Sequence, residues 1–155
     1  MAPFHLLRLS PDDLTLMRQL NLVFGRAFED PGSYHDAPPS DEYLRQWLGR
    51  DHVVVLAALQ GETVIGGLVA YELDKFERAR REIYLYDLAV EDIWRRRGVA
   101  TGLIGRLAAL GKERNAAVVF VQAVQGDDPA IQLYEKLGAR ENVLHFDIQT
   151  GLDRN

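Results

Sequence analysis

Cysteine is absent from the 155 residues. That absence removes a disulfide scaffold, a zinc-thiolate site, an iron–sulfur cluster and a thiol nucleophile from consideration. Serine is nearly as scarce: Ser10, Ser33 and Ser40 each stand in a cap or loop setting, so no strand-to-helix nucleophile elbow can be built. The four histidines, His5, His35, His52 and His145, are scattered without metal-ligand spacing, and no metal site is expected. Long apolar runs are missing too. The longest, Val53–Leu59 and Ala116–Val121, are strand-sized, whereas a bilayer span needs roughly 20 residues. Met1–Ser10 lacks a basic stretch followed by an apolar core and a cleavage site, so a cytoplasmic protein without a membrane partner is the expectation. Basic charge is outweighed: Lys+Arg 18 against Asp+Glu 23 leaves a net charge of -5. That balance argues against a nucleic-acid partner, which needs a basic footprint, and permits a cationic ligand.

What remains is an ordinary globular composition, 47% hydrophobic and 26% charged. The length fits one domain over residues 1–155, and no Pro/Gly/Ser-rich linker divides it. Phe4–Leu9 reads as a strand. Ser10-Pro11-Asp12-Asp13 reads as a helix start with a Ser cap and Pro at the first position, followed by the stripe Leu14, Met17, Leu20, Phe24 and Phe28. Glu29–Pro39 reads as a loop, and Ser40 caps a short helix with Tyr43, Leu44, Trp47 and Leu48. His52–Leu59 and Thr63–Leu73 form a hairpin across Gln60-Gly61-Glu62, and Glu82–Val90 is a third strand. A helix runs from Val99 to about Arg114, Ala116–Val124 is a strand, Asp128 caps a helix that Gly138 ends, and Glu141–Thr150 closes as a strand. The order β-α-α-β-β-β-α-β-α-β predicts an α/β fold in three layers around a mixed sheet, parallel where a helix crosses over after Glu82–Val90.

The sharpest motif is Arg95-Arg96-Arg97-Gly98-Val99-Ala100, between a buried strand and an amphipathic helix. Free N–H groups at a helix N-terminus, small residues that permit close approach and three guanidiniums make an anion cradle, suited to a pyrophosphate. A solvated Arg run is the plainer alternative. Asp87 is the best catalytic candidate: period-2 alternation places it with Ile83, Leu85 and Ala89 on an apolar face, opposite Tyr84 and Tyr86. A carboxylate there either finds partners or shifts its pKa upward, and both suit a general base. A structural Asp, or a bulge returning it to solvent, stays open. Tyr134 sits on the inner face of the last helix, where packing and chemistry are both open.

Several blocks together resemble a known family. A strand, then Arg95-x-x-Gly98-x-Ala100, then a helix is similar to the acetyl-CoA motif of the GNAT N-acetyltransferase superfamily, and Asp128–Gly138 resembles its closing helix. Glu82–Val90, Gln125–Ala130 and His145–Ile148, with Leu22–Phe28 and Lys75–Glu77, resemble the aminoglycoside 3-N-acetyltransferases of the gentamicin/fortimicin type. The likeness covers nearly the whole chain. It implies the GNAT fold, a sheet splayed between its two central parallel strands, with acetyl-CoA in the splay and no metal. It implies that Arg95, Arg96, Arg97, Gly98, Val99, Ala100 and Thr101 meet the pyrophosphate, and that the backbone of Leu88, Ala89 and Val90 holds the pantetheine and thioester. Asp87 matches the acid at the acceptor amine, and Tyr134 the tyrosine near the departing sulfur. Direct transfer in a ternary complex to the 3-amine of a gentamicin-like antibiotic, conferring resistance, is the implied reaction. Glu29, Asp30, Tyr34, Tyr86, Asp127 and Asp147 are the implied substrate contacts, and a homodimer the implied assembly. A GNAT enzyme for another polyamine or peptide amine, and a non-catalytic acetyl-CoA sensor, are the alternatives.

Overall fold

A computed structural model describes residues 3–153. Its first unit, through Gln122, is built on a sheet of β1 (His5–Arg8), β2 (Val53–Gln60), β3 (Thr63–Asp74), β4 (Arg81–Val90) and β5 (Ala116–Val121). The strands neighbour one another in chain order. The pairings are antiparallel up to β4, and β4 runs parallel to β5. A parallel pair needs a crossover, supplied here by α4 (Val99–Glu113). Three helices, α1 (Leu14–Ala27), α2 (Pro31–His35) and α3 (Asp41–Leu48), lie between β1 and β2 in the chain. The second unit, from Ala123 onward, holds α5 (Asp128–Leu137).

In the first unit both faces of the sheet are covered, which is why β2 is buried at every position but its last and shows no apolar–polar alternation. Val53, Val55 and Ala57 pack with Leu20 and Phe24 of α1 and Leu44 and Leu48 of α3. Val54, Leu56 and Ala58 point the other way, to Leu103 and Leu107 of α4. Helix, sheet and helix thus make the three layers expected. At Gly67 a Cβ would stand 2.6 Å from both Leu20 Cδ1 and the Leu56 carbonyl oxygen. Glycine there lets α1 settle directly onto β3.

The one buried charged side chain among the described residues is Glu72, on β3. Arg114, just past α4, meets it with both arms of its guanidinium, Nε–Oε1 2.6 Å and Nη2–Oε2 2.8 Å. The forked pair fastens the end of the crossover helix to the sheet and satisfies the carboxylate that the fold removes from water.

The structure corrects several sequence expectations. Helix α1 begins at Leu14 with Asp13 at its cap, because Ser10–Asp13 closes on itself as a turn: Ser10 N–H donates to Asp13 Oδ2 (2.7 Å), and Asp13 N–H to the Ser10 carbonyl (2.9 Å). The expected loop Glu29–Pro39 contains α2, started by Asp30, which accepts from Ser33 N–H. β5 stops at Val121, short of the expected Val124. The cap of α5 is Asp127, not Asp128, and accepts from Ala130 N–H. The expected strand Glu141–Thr150 carries no ladder among the described residues.

Arg114→Ala is expected to lower stability by up to about 3–5 kcal/mol, because it leaves a buried carboxylate with only the Arg81 guanidinium, 3.9 Å away. Arg114→Lys should recover only part, since a point charge cannot fork onto two oxygens. Urea unfolding of the three proteins checks both.

Candidate active site

Pairing between β3 and β4 slips once. Val69 faces Asp87, whereas the next residue, Ala70, faces Leu85, so Tyr86 is an extra residue in β4. A bulge of this kind re-aims side chains. Before it, Ile83 and Leu85 pack with α4; after it, Ala89 packs with α1 on the opposite face. Asp87 therefore shares a face with Ala89 but not with Ile83 and Leu85, and Tyr86 and Asp87, adjacent in sequence, open into one cleft. Period-2 alternation separated those two residues; the bulge brings them together.

The Asp87 carboxylate is half-buried, and burial raises its pKa above the ordinary value. Working against that shift, Tyr34 donates its hydroxyl to Asp87 Oδ2 at 2.8 Å. Burial also raises the Tyr34 hydroxyl, with the Asp87 hydrogen bond and charge adding to it, so the phenol stays protonated as a donor. Tyr34 is placed by α2, whose position depends on a glycine. A Cβ at Gly25 of α1 would lie 2.2 Å from His35 Nε2, so only glycine lets the His35 ring rest against α1. Phe24 and Phe28 flank the Tyr34 ring, with centroids 5.9 and 5.8 Å away.

The cleft has a volume of about 380 Å³. Beside Asp87 it is walled by aromatic rings: Tyr34, Tyr43, Trp47, Tyr71 and Tyr86. Tyr71 meets Tyr86 edge-on at 5.8 Å and Trp47 at 6.4 Å, so the rings form a continuous wall. Tyr84 meets Tyr86 at 5.6 Å and stacks on Phe120 of β5. A carboxylate among ring faces suits an alkylammonium, which gains from both. Sequence reading had placed Tyr43 and Trp47 on a helical stripe and left Tyr71 unremarked. Tyr71 of β3 joins the two α3 rings only because the sheet turns it to the same side.

Along β4 the parallel ladder with β5 ends at Leu85 and Val121. Beyond the bulge, Asp87–Val90 keep β3 on one side and have no ladder partner on the other among the described residues. Leu88, Ala89 and Val90 thus offer a free backbone edge immediately beyond Asp87. The chain then turns through Asp92–Trp94 into α4. Arg96 (φ 58°) and Gly98 (φ 81°) are left-handed, and Gly98 caps α4 without a side chain. The amides of Val99, Ala100 and Thr101 therefore start a 15-residue helix with no side-chain cap, in the geometry that binds anions. The three arginines differ. Arg95 pairs with Asp92 at 3.2 Å and Arg97 lies 5.2 Å over the Trp94 ring, while Arg96 makes no such pairing.

Other candidates lie elsewhere. Glu29 and Asp30 are exposed and do not line the cleft; Asp30 is occupied as the cap of α2. Asp127, Tyr134 and Asp147 belong to the second unit. Burial raises the Tyr134 hydroxyl, with the Asp127 charge adding to it, and Asp147 lies 2.9 Å from His145 Nε2. Among the described residues no group of three or more His, Asp or Glu side chains could hold a metal ion, and no helix is long and apolar enough to cross a membrane.

A profile of the Acetyltransferase (GNAT) family matches residues 20–139. Among solved structures, an aminoglycoside acetyltransferase from an uncultured soil metagenomic sample is 49% identical, over 96% of this chain and 99% of that one, with a TM-score of 0.94. Another from an uncultured soil metagenomic sample, solved with trehalose, is 32% identical over 94% and 95% of the two chains, with a TM-score of 0.88. The same protein has been solved with sisomicin. An aminoglycoside N-acetyltransferase in complex with CoA shares the fold at 16% identity, over 98% and 97% of the chains, with a TM-score of 0.77. No curated protein gives a significant match.

Tyr34→Phe removes a hydrogen bond that favours the Asp87 carboxylate while keeping the ring, so Asp87 is expected to titrate at higher pH than in the unchanged protein. Carbon-detected NMR of the Asp87 carboxyl checks the direction.

Proposed function

The chain belongs to the acetyltransferase (GNAT) family, whose members use acetyl-CoA, and from that premise we propose that it acetylates an amine of an aminoglycoside, the 3-amine of a gentamicin-like antibiotic. One observation carries the reading: Asp87, a carboxylate of raised pKa, stands in an aromatic cleft where the free edge of β4 begins. The likeness to aminoglycoside acetyltransferases at 49% and 32% identity supports the substrate class. The choice of the 3-amine rests on the sequence blocks around Glu82–Val90 and Gln125–Ala130.

The division of labour follows from the geometry of the first unit. The uncapped start of α4 takes the pyrophosphate of acetyl-CoA, with the amides of Val99, Ala100 and Thr101 donating and the Arg95–Arg97 guanidiniums adding positive potential. The pantetheine arm lies along Leu88–Val90, where backbone groups left without a strand partner supply its hydrogen bonds. An N–H of the same edge stabilises the oxyanion as the thioester carbonyl is attacked. The antibiotic arrives as a polycation. Tyr86, Tyr71 and Trp47 receive its ammonium groups on their ring faces, and Tyr34 closes the cleft over Asp87.

The attacking amine must first lose a proton. Asp87 accepts it, and the raised pKa makes it a better base than an ordinary aspartate. The amine lone pair then forms the C–N bond to the carbonyl carbon, and collapse of the tetrahedral intermediate breaks the C–S bond. The CoA thiolate leaves and takes a proton from the hydroxyl of Tyr134, the donor that the resemblance assigns; the acylated nitrogen returns its second proton to the tyrosinate, and Asp87 releases the first to water. No acyl-enzyme is formed, in keeping with a chain that has no thiol to carry one. The chain acts as a homodimer in the cytoplasm, where acetyl-CoA is available.

Thiol release from acetyl-CoA with gentamicin or sisomicin tests the substrate, and NMR of the product locates the acetyl group. Release with spermidine or a peptide amine but with neither antibiotic would overturn the aminoglycoside assignment, and acetylation at another amine would overturn the 3-position alone. Binding of acetyl-CoA without thiol release from any amine would make the protein a sensor.

Asp87→Asn should reduce kcat by about 10²–10⁴-fold, the usual range for loss of a general base. Its stability should hold or rise. A folded-state pKa above the unfolded value makes a contribution that is present at low pH and lost as pH climbs through the raised pKa, so at neutral pH the buried charge is a cost that Asn does not carry. Full turnover by Asp87→Asn would remove Asp87 from the mechanism; the melting temperature, measured alongside, separates loss of chemistry from loss of fold.

A further inference from the structure

Helix α1 ends by turning the chain back along its own side. Phe28 closes it and Glu29 is left-handed (φ 52°). Asp30 N–H donates to the Gly25 carbonyl at 3.0 Å, and Glu29 N–H to the Arg26 carbonyl at 3.2 Å. These two crossed bonds make a Schellman ending, which usually places glycine at the left-handed position. Here Glu29 holds that position, and the glycine stands inside the helix, at 25, where it weakens the helix. Its missing side chain leaves a notch on the buried side of α1.

His35 fills that notch. A Cβ on Gly25 would lie 2.2 Å from His35 Nε2 and 2.5 Å from Cε1, so this edge of the ring occupies the space of a side chain. Nε2 is buried there and finds no hydrogen-bond partner among the described residues. A ring nitrogen withdrawn from water without a partner is a cost to the fold. What the contact supplies is shape, a flat edge that fits one gap in α1. His35 does not line the cleft, whereas its neighbour Tyr34 does. Both side chains grip the same stretch of α1. The Tyr34 ring lies 5.9 and 5.8 Å from Phe24 and Phe28, tilted 47° to each, and Gly25 falls between those two residues in the chain. Aromatic pairs accept a range of offsets and separations. A ring edge in a one-residue notch does not. The 2.8 Å bond from Tyr34 to Asp87 Oδ2 needs that precision, because hydrogen bonds weaken steeply when misaligned.

We propose that His35 is a positioning residue of the site: its ring, keyed into the Gly25 notch, sets where along α1 the α2 turn sits and so delivers the Tyr34 hydroxyl to Asp87. His35 acts through Tyr34 and not by lining the cleft itself. The keying belongs to the fold without ligands; its bearing on turnover rests on the acetyl transfer proposed above, with Asp87 as the base.

NMR titration of the full-length protein, labelled at tyrosine Cζ and free of ligands, tests the keying. In the unchanged protein, burial and the Asp87 hydrogen bond hold the Tyr34 phenol well above the ordinary range, and burial also raises Tyr71 and Tyr84. Gly25→Ala expels the ring and His35→Ala empties the notch. In both, Tyr34 should titrate at lower pH, toward an ordinary tyrosine at about pH 10, while Tyr71 and Tyr84 keep their own midpoints. An unmoved Tyr34 in His35→Ala, or a common fall of all three tyrosines, would overturn the proposal. If Gly25→Ala does not fold, His35→Ala decides alone. In turnover, His35→Ala should lower kcat by about 10–10²-fold, the scale of a small misplacement, with KM for acetyl-CoA unchanged. It should add nothing in a Tyr34→Phe background, since the two changes act on one hydroxyl. An unchanged kcat, or losses that add, would overturn the route through Tyr34. If the unchanged protein acetylates no amine, the proposed function fails, and the titration still decides the keying.

Discussion

Between Val69 and Ala70, β3 advances by one residue while β4 advances by two, and Tyr86 is the residue left over. Most of the site follows from that mismatch. Upstream of it, β4 is an ordinary inner strand whose Ile83 and Leu85 are sealed against α4. Downstream, the same strand presents Asp87 to the other face and keeps its backbone free toward the side from which β5 has departed. A carboxylate and an open peptide edge thus become neighbours without any loop. The cost of the bulge, one residue without a pairing partner, is met inside a sheet whose two faces are heavily packed.

Asp87 is then adjusted by a contest between two forces of opposite sign. Removal from water favours the neutral acid, and the Tyr34 hydroxyl favours the anion. The second force is delivered by α2, so the reactivity of a sheet residue is set partly by a one-turn helix. Gly25 makes this possible, because any side chain there would collide with His35 and displace the turn that carries Tyr34. On the other side of the site, Arg26 at the end of α1 pairs with Glu91 at the end of β4, fixing the strand where its free edge ends.

The sheet was legible in the sequence because each strand is a run of apolar residues between turn signals, and α4 because Gly98 and the stripe Val99, Leu103, Leu107 mark it. Asp87 was legible as a candidate, since a carboxylate within Leu85–Val90 stands out chemically. Its face was not, because a bulge is a mismatch between two strands and leaves no mark in either alone. Helix starts were misread for a related reason. Ser10-Pro11-Asp12-Asp13 and Asp127-Asp128-Pro129 each contain more than one residue able to cap, and the folded chain puts Asp13 and Asp127 in that position. The segment around Phe146 has the alternation of a strand, but alternation specifies a face and not the partner that fixes it. Glu72 is the converse: it reads as a polar end to β3, and the arrival of Arg114, 42 residues later, with Arg81 at 3.9 Å, makes burial tolerable.

Helix α2 has consequences for how such a protein can change. It spans five residues and buries no residue fully, and its anchors are few: the Asp30 cap, the His35 ring against Gly25, and the Tyr34 hydroxyl. Asp87 and the groups assigned to acetyl-CoA sit instead on β4, on the turn after it and at the start of α4. Substitutions in residues 29–39 can therefore reshape the aromatic cleft beside Asp87 while leaving β4 and the start of α4 in place. A change of acceptor could thus arise in this short segment without any repacking of the sheet.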